Sequence, residues 1–155
     1  MSARHVLALV FSTAIFFAQL APAPLALADA PPGNSLSSAE TNWKGVVAEV
    51  TEFRRRRNTL TVKIRLTNRS GPTCWPSIEI KHCHLIDSDG RKKYEALKDE
   101  IGNYIASADS SWSDSLDPSG SKTFWVKFPA PPPEVKAITL QIPGMPPFED
   151  LAIQD

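Results

Sequence analysis

"TLTVKIRLTN" (Thr59–Asn68) decides the fold class. Leu60, Val62, Ile64 and Leu66 fall on one side of an extended chain, and Thr61, Lys63, Arg65 and Thr67 on the other. Alternation with period two marks a strand with one buried and one wetted face, because successive side chains of a strand point in opposite directions. A helix would repeat its apolar residues every three to four positions. Just before it, "GVVAEVTEF" (Gly45–Phe53) is rich in β-branched residues and has no helical spacing. The intervening "RRRRN" (Arg54–Asn58) then reads as a hairpin loop.

Moving outward, the same signal returns. "KTFWVKF" (Lys122–Phe128) sets Phe124, Val126 and Phe128 on one face and Trp125 on the other. "KAITLQI" (Lys136–Ile142) buries Ile138, Leu140 and Ile142, and "LAI" (Leu151–Ile153) reads as a short closing strand. Turn residues recur between them: Ser70-Gly71-Pro72, Asp89-Gly90, Pro118-Ser119-Gly120 and Pro143-Gly144. Short strands punctuated at such intervals predict an all-β antiparallel sandwich. The 14 prolines agree, since proline is excluded from helix interiors and central ladders and gathers in turns. One segment departs from the pattern. In "YEALKDEIGNYI" (Tyr94–Ile105), Leu97, Ile101 and Tyr104 are spaced as on a helix, interrupted by Gly102. A short helix or irregular crossover is expected near 95–106.

The start of the chain bears on compartment. Arg4 precedes an apolar run, "VLALVFSTAIFFAQL" (Val6–Leu20), and a small, proline-containing stretch ending in Ala28 and Ala30. This is the layout of a secretory signal peptide, with cleavage expected after Ala28. The run is shorter than the roughly 20 residues a spanning helix needs, and no other stretch approaches that length. The expected organisation is 1–28 signal peptide, 29–42 flexible leader and 43–155 one domain, secreted or periplasmic. The 17 basic and 17 acidic residues balance, although the basic ones gather in the first half and the acidic ones in the second. That asymmetry is no argument for a nucleic-acid partner.

"IKHCHLIDSDG" (Ile80–Gly90) is where metal chemistry would lie. As a calcium loop, Asp87, Asp89 and Gly90 would take positions 3, 5 and 6, but Leu85 and Ala96 would take positions 1 and 12, where oxygen ligands are required. The D-x-D-G therefore reads as a hairpin turn. His82 and His84 share a face if the stretch is a strand, and two imidazoles could hold a metal. With Cys83 and Leu85 facing inward the histidines face outward. Ile78 and Ile80 have the opposite phase, so a bulge or change of sheet is expected near Lys81. Cys74 and Cys83 are the only cysteines, and in an exported chain a disulfide between them is the default expectation. Their separation when extended, about 30 Å, requires the loop containing Gly71, Pro72 and Pro76 to fold back.

"LTVKIRLTNRS", "LIDSDGRKKY", "SLDPSGSKTFWVKFPAP" and "AITLQI", in that order, with the closing "PPFEDLAI", resemble a group of secreted bacterial immunoglobulin-like domains that includes mycobacterial secreted antigens. The resemblance covers about Trp43 to Ile153. It implies an immunoglobulin-like β-sandwich, and it implies no catalytic set and no cofactor.

Catalytic motifs are missing: there is no G-x-S-x-G, H-E-x-x-H, phosphate loop or dinucleotide fingerprint. The sequence therefore leads to a non-catalytic secreted or periplasmic binding or structural module. The alternative is an extracytoplasmic metal-binding protein using His82 and His84, and a third reading is an enzyme of unrecognised type. Arg54, Arg55, Arg56 and Arg57 form a candidate anion-binding run, because guanidinium groups stay charged and grip phosphate or carboxylate. Trp125 is the candidate partner surface. The partner is expected in the envelope or outside the cell, with no nucleic acid and no membrane span.

Overall fold

A computed structural model describes residues 35–69, 71–87 and 92–155. The expected signal peptide, its cleavage region and the Asp89-Gly90 turn lie outside the described residues. The fold is all-β and antiparallel, with ten strands in three sheets among the described residues: β1 (Ser37–Glu40), β2 (Val46–Arg56), β3 (Thr59–Asn68), β4 (Ser77–Glu79), β5 (His84–Asp87), β6 (Lys93–Glu95), β7 (Ser111–Ser113), β8 (Ser121–Pro129), β9 (Ala137–Gln141) and β10 (Phe148–Ala152). One sheet runs β1-β2-β3-β8 and another β10-β9-β5-β6, while β4 and β7 pair separately.

The alternation of Thr59–Asn68 becomes the core. Leu60, Val62, Ile64 and Leu66 are buried, and β8 sets Phe128, Val126 and Phe124 opposite the first three. Ile138 and Leu140 of β9 and Leu85 of β5 join them from the other four-stranded sheet in one apolar cluster. Trp112 on β7 lies against Phe124, ring centroids 5.8 Å apart and tilted. In β2 the register slips between Val50 and Glu52. The extra residue moves the buried phase from Val46, Ala48 and Val50 to Phe53, as a bulge does by adding one residue to a period-two pattern.

Two expectations are corrected. The hairpin turn after β2 is only Arg57-Asn58, since Arg56 already pairs with Thr59; Arg54, Arg55 and Arg56 belong to the strand. Arg57 takes the left-handed conformation (φ 51°) that a two-residue hairpin turn requires. A strand lies inside the expected leader: Ser37–Glu40 pairs with Val47–Val50. Backbone pairing rather than an apolar pattern holds "SSAE", so its sequence carried no signal.

The segment near 95–106 is the irregular crossover and not a helix. Asp99 Oδ1 accepts the backbone N–H of Ile101 (3.1 Å) and of Asn103 (2.8 Å). This side-chain capture competes with helix formation, and Gly102 at φ 94° closes the turn. The crossover returns along the open edge of β8. Leu97 N donates to Lys127 O, Lys127 N to Ile105 O, and Ser107 N to Trp125 O. An unpaired strand edge is a template for aggregation; here the chain covers its own.

Candidate functional site

The four arginines of the expected anion site have separate fates. Arg55 is built into the fold: its side chain is 9 % exposed, Nε lies 2.7 Å from Asp155 Oδ1, and Nη1 donates to Pro132 O at 3.0 Å. That hydrogen bond, reinforced by charge, raises the Arg55 pKa above its ordinary value and holds the Asp155 carboxyl below its own. Beside it, Gln154 exchanges backbone hydrogen bonds with Phe53 and Arg55. Arg54 is half-buried, and only Arg56 and Arg57 are exposed. The run therefore offers two free guanidinium groups rather than four. Trp125, the expected partner surface, is also half-buried. Its backbone N–H donates to Ser107 Oγ at 2.8 Å, so the crossover occupies that edge of β8.

Cys74 and Cys83 are not at disulfide distance, and both are free thiols. The loop does not fold back onto β5. Instead Cys74 pairs with Leu116 in an isolated bridge, while Cys83 is buried with its thiol 3.7 Å from Glu79 O. Burial pushes the Cys83 pKa up to about 12, which keeps it a neutral, unreactive thiol.

His82 and His84 do not sit on one strand. His82 ends a 3-10 turn, Ile80–His82, and His84 begins β5. The turn is where the chain leaves the β4–β7 pair for the four-stranded sheet. That is the phase change expected near Lys81, with Ile78, Ile80, Cys83 and Leu85 all buried.

Both histidines nevertheless reach one cavity of about 350 Å³. Lys93 of β6, Gln141 of β9 and Met145 in the following loop complete the part of its wall that bears polar or sulfur groups. A second cavity, about 360 Å³, lies against Ile86, Asp87, Thr139, Glu149 and Asp150, and Gln141 lines both. Register explains the adjacency. His84 is opposite Gln141, and Ile86 is opposite Thr139, with Leu85 between them facing inward. The outward side chains of β9 are Ala137, Thr139 and Gln141, too short to fill the face. The two neighbouring cavities on the outer face of β10-β9-β5-β6, together termed the groove, have imidazole and ammonium groups at one end and carboxylates at the other.

Loop geometry brings Met145 to this groove. Gly144 has φ 82°, and a Cβ there would lie 2.5 Å from the Trp43 ring. Asn42 N donates to Gly144 O at 2.8 Å. Sequence reasoning passed over Gln141 and Met145. Pro143-Gly144 announced a turn, but nothing local ties it to histidines some 60 residues earlier. Among the described residues, no three of His, Cys, Asp and Glu converge as metal ligands, and no helix is long and apolar enough to cross a membrane. Compared with known proteins, the chain matches no family model and no curated protein.

Proposed function

We propose that the chain is a non-catalytic binding module of the secreted or periplasmic space. Its ligand, a component of the envelope or extracellular matrix, would lie in the groove on the outer face of β10-β9-β5-β6. The observation carrying this reading is that Gln141 lines two neighbouring cavities. Each falls within the size range of small-ligand sites, roughly 300–1,000 Å³, and together they present opposite charge at their two ends. An immunoglobulin-like relationship fits the strand order. Three sequential partners, β2-β3-β8, face a four-strand set, β10-β9-β5-β6, as the A-B-E and G-F-C-C′ strands do in such sandwiches. Export, with a signal peptide removed after Ala28, belongs to the same proposal and rests on the apolar run and its flanks.

The test is retention of envelope components on immobilised protein. Gln141→Trp fills the middle of the groove from an outward-facing position, and the double variant Arg56→Ser/Arg57→Ser removes the free guanidinium groups. Loss of a wild-type ligand by the first variant, with retention by the second, supports the groove. Equal retention by Gln141→Trp and wild type overturns it. Loss by the arginine variant alone, relieved in wild type by salt, moves the site to the hairpin turn.

A further inference from the structure

At the basic end of the groove, two imidazoles and a thioether share one cavity: His82, His84 and Met145. The hydrogen bonding of the two rings is what separates them from ordinary surface histidines. His84 Nδ1 lies 2.9 Å from His82 O. A carbonyl oxygen only accepts, so Nδ1 carries the proton, and the lone pair of the neutral ring is on Nε2. His82 Nε2 lies 3.3 Å from Glu79 Oε2. The Lys81 ammonium lies 3.0 Å from the same Glu79 oxygen. The Glu79 carboxylate thus meets the His82 ring at Nε2. Each ring has one nitrogen beside a carbonyl or carboxylate oxygen. This is the arrangement in which metal-binding histidines are oriented by their surroundings.

The third group selects the metal. Zinc takes thiolate, imidazole and carboxylate, generally four together, and Cys83 turns into the core instead. A thioether is a soft ligand that suits cuprous ion, and imidazole binds copper readily. Met145 is 7 % exposed, and its loop is held by the Trp43–Gly144 contact. The sulfur side of the wall is therefore supported by packing rather than free in solvent. We propose that His82, His84 and Met145 form a binding site for a single cuprous ion. The site uses one end of the groove but needs no envelope ligand, so it stands or falls separately from the binding reading above.

The experiment is titration of the purified protein with cuprous ion under anaerobic, reducing conditions against a chromophoric copper chelator, with zinc in a parallel arm. Wild type should take up one cuprous ion and hold it in competition with the chelator. Met145→Leu keeps the side-chain size and removes only the sulfur; it should weaken cuprous binding at least tenfold. His84→Ala should weaken it further. X-ray absorption of the loaded protein should show both nitrogen and sulfur neighbours, with the sulfur contribution lost in Met145→Leu. Circular dichroism and unfolding curves confirm that both variants are folded. Cys74→Ser controls for the accessible thiol and should bind as wild type. Unchanged affinity in Met145→Leu and His84→Ala, or binding abolished by Cys74→Ser alone, overturns the proposal.

Discussion

The two four-stranded sheets share one core but are finished differently on their outer faces. In β1-β2-β3-β8 the strands are long, with 11, 10 and 9 residues in β2, β3 and β8. Their outer face carries long charged side chains that pair, as Lys63 and Glu52 do at 2.7 Å. The outer edges of β2 and β8 are covered: β1 lies along the first half of β2, Gln154 along the second, and the crossover along β8. In β10-β9-β5-β6 the strands have three to five residues. The register slips between Phe148 and Leu151, with Asp150 at φ 51°. Short outward side chains leave two cavities. One sheet is occupied with holding the structure, and the other has an outer surface free to hold something else. Binding surfaces are commonly carried by elements positioned on a rigid scaffold.

The largest test of this contrast sets core against groove. Phe124→Ala removes a fully buried ring between the sheets and should cost about 3–5 kcal/mol in urea unfolding. Thr139→Ala on the groove face should stay within about 0.5 kcal/mol. Comparable losses would mean that the groove face also bears on stability.

Next comes the joint between the groove loop and the rest of the domain. Gly144→Ala puts a Cβ into the Trp43 ring at a positive-φ position. Left-handed backbone costs about 1–2 kcal/mol and overpacking about 1–3, so a loss of about 2–4 kcal/mol is expected by the same measurement. A neutral result would show that the loop carrying Met145 can shift, which would weaken the case for a preformed cavity.

A smaller effect distinguishes two neighbouring arginines. Arg55→Ala should lower the thermal midpoint measurably, whereas Arg56→Ser should leave it nearly unchanged. Because the Asp155 pKa is lowered in the folded state, the interaction stabilises above the ordinary carboxylate value of about 4. It is lost as pH falls through the lower folded value. The gap between wild type and Arg55→Ala should therefore narrow in acid; a gap independent of pH would assign the effect to packing of the arginine stem.

The smallest perturbation is chemical. Native protein at pH 8 should label with a thiol reagent at half-buried Cys74 while Cys83, with its raised pKa and full burial, stays protected until denaturation. A native mass 2 Da below the reduced mass, with no labelling before reduction, would restore the disulfide expected from the compartment.

The sequence by itself determined what depends on local period and turn chemistry. Alternation in Thr59–Asn68, Lys122–Phe128 and Lys136–Ile142 specifies which side chains go inward. The conflicting phases of Ile80 and Cys83 specify a bulge or a change of sheet near Lys81, because an unbroken period-two pattern cannot bury both. Local pattern misled where backbone or side-chain hydrogen bonds override it. Asp99 captures two N–H groups and forbids the helix suggested by Leu97, Ile101 and Tyr104. β1 is held by pairing that leaves no apolar trace. Only the tertiary structure decided which distant residues meet. It gave Arg55 to Asp155, kept Cys74 from Cys83, and brought Met145 and Gln141 to the histidines. The physical reason is that antiparallel register sets such neighbours through ladders spanning tens of residues, and no local pattern encodes a ladder's partner.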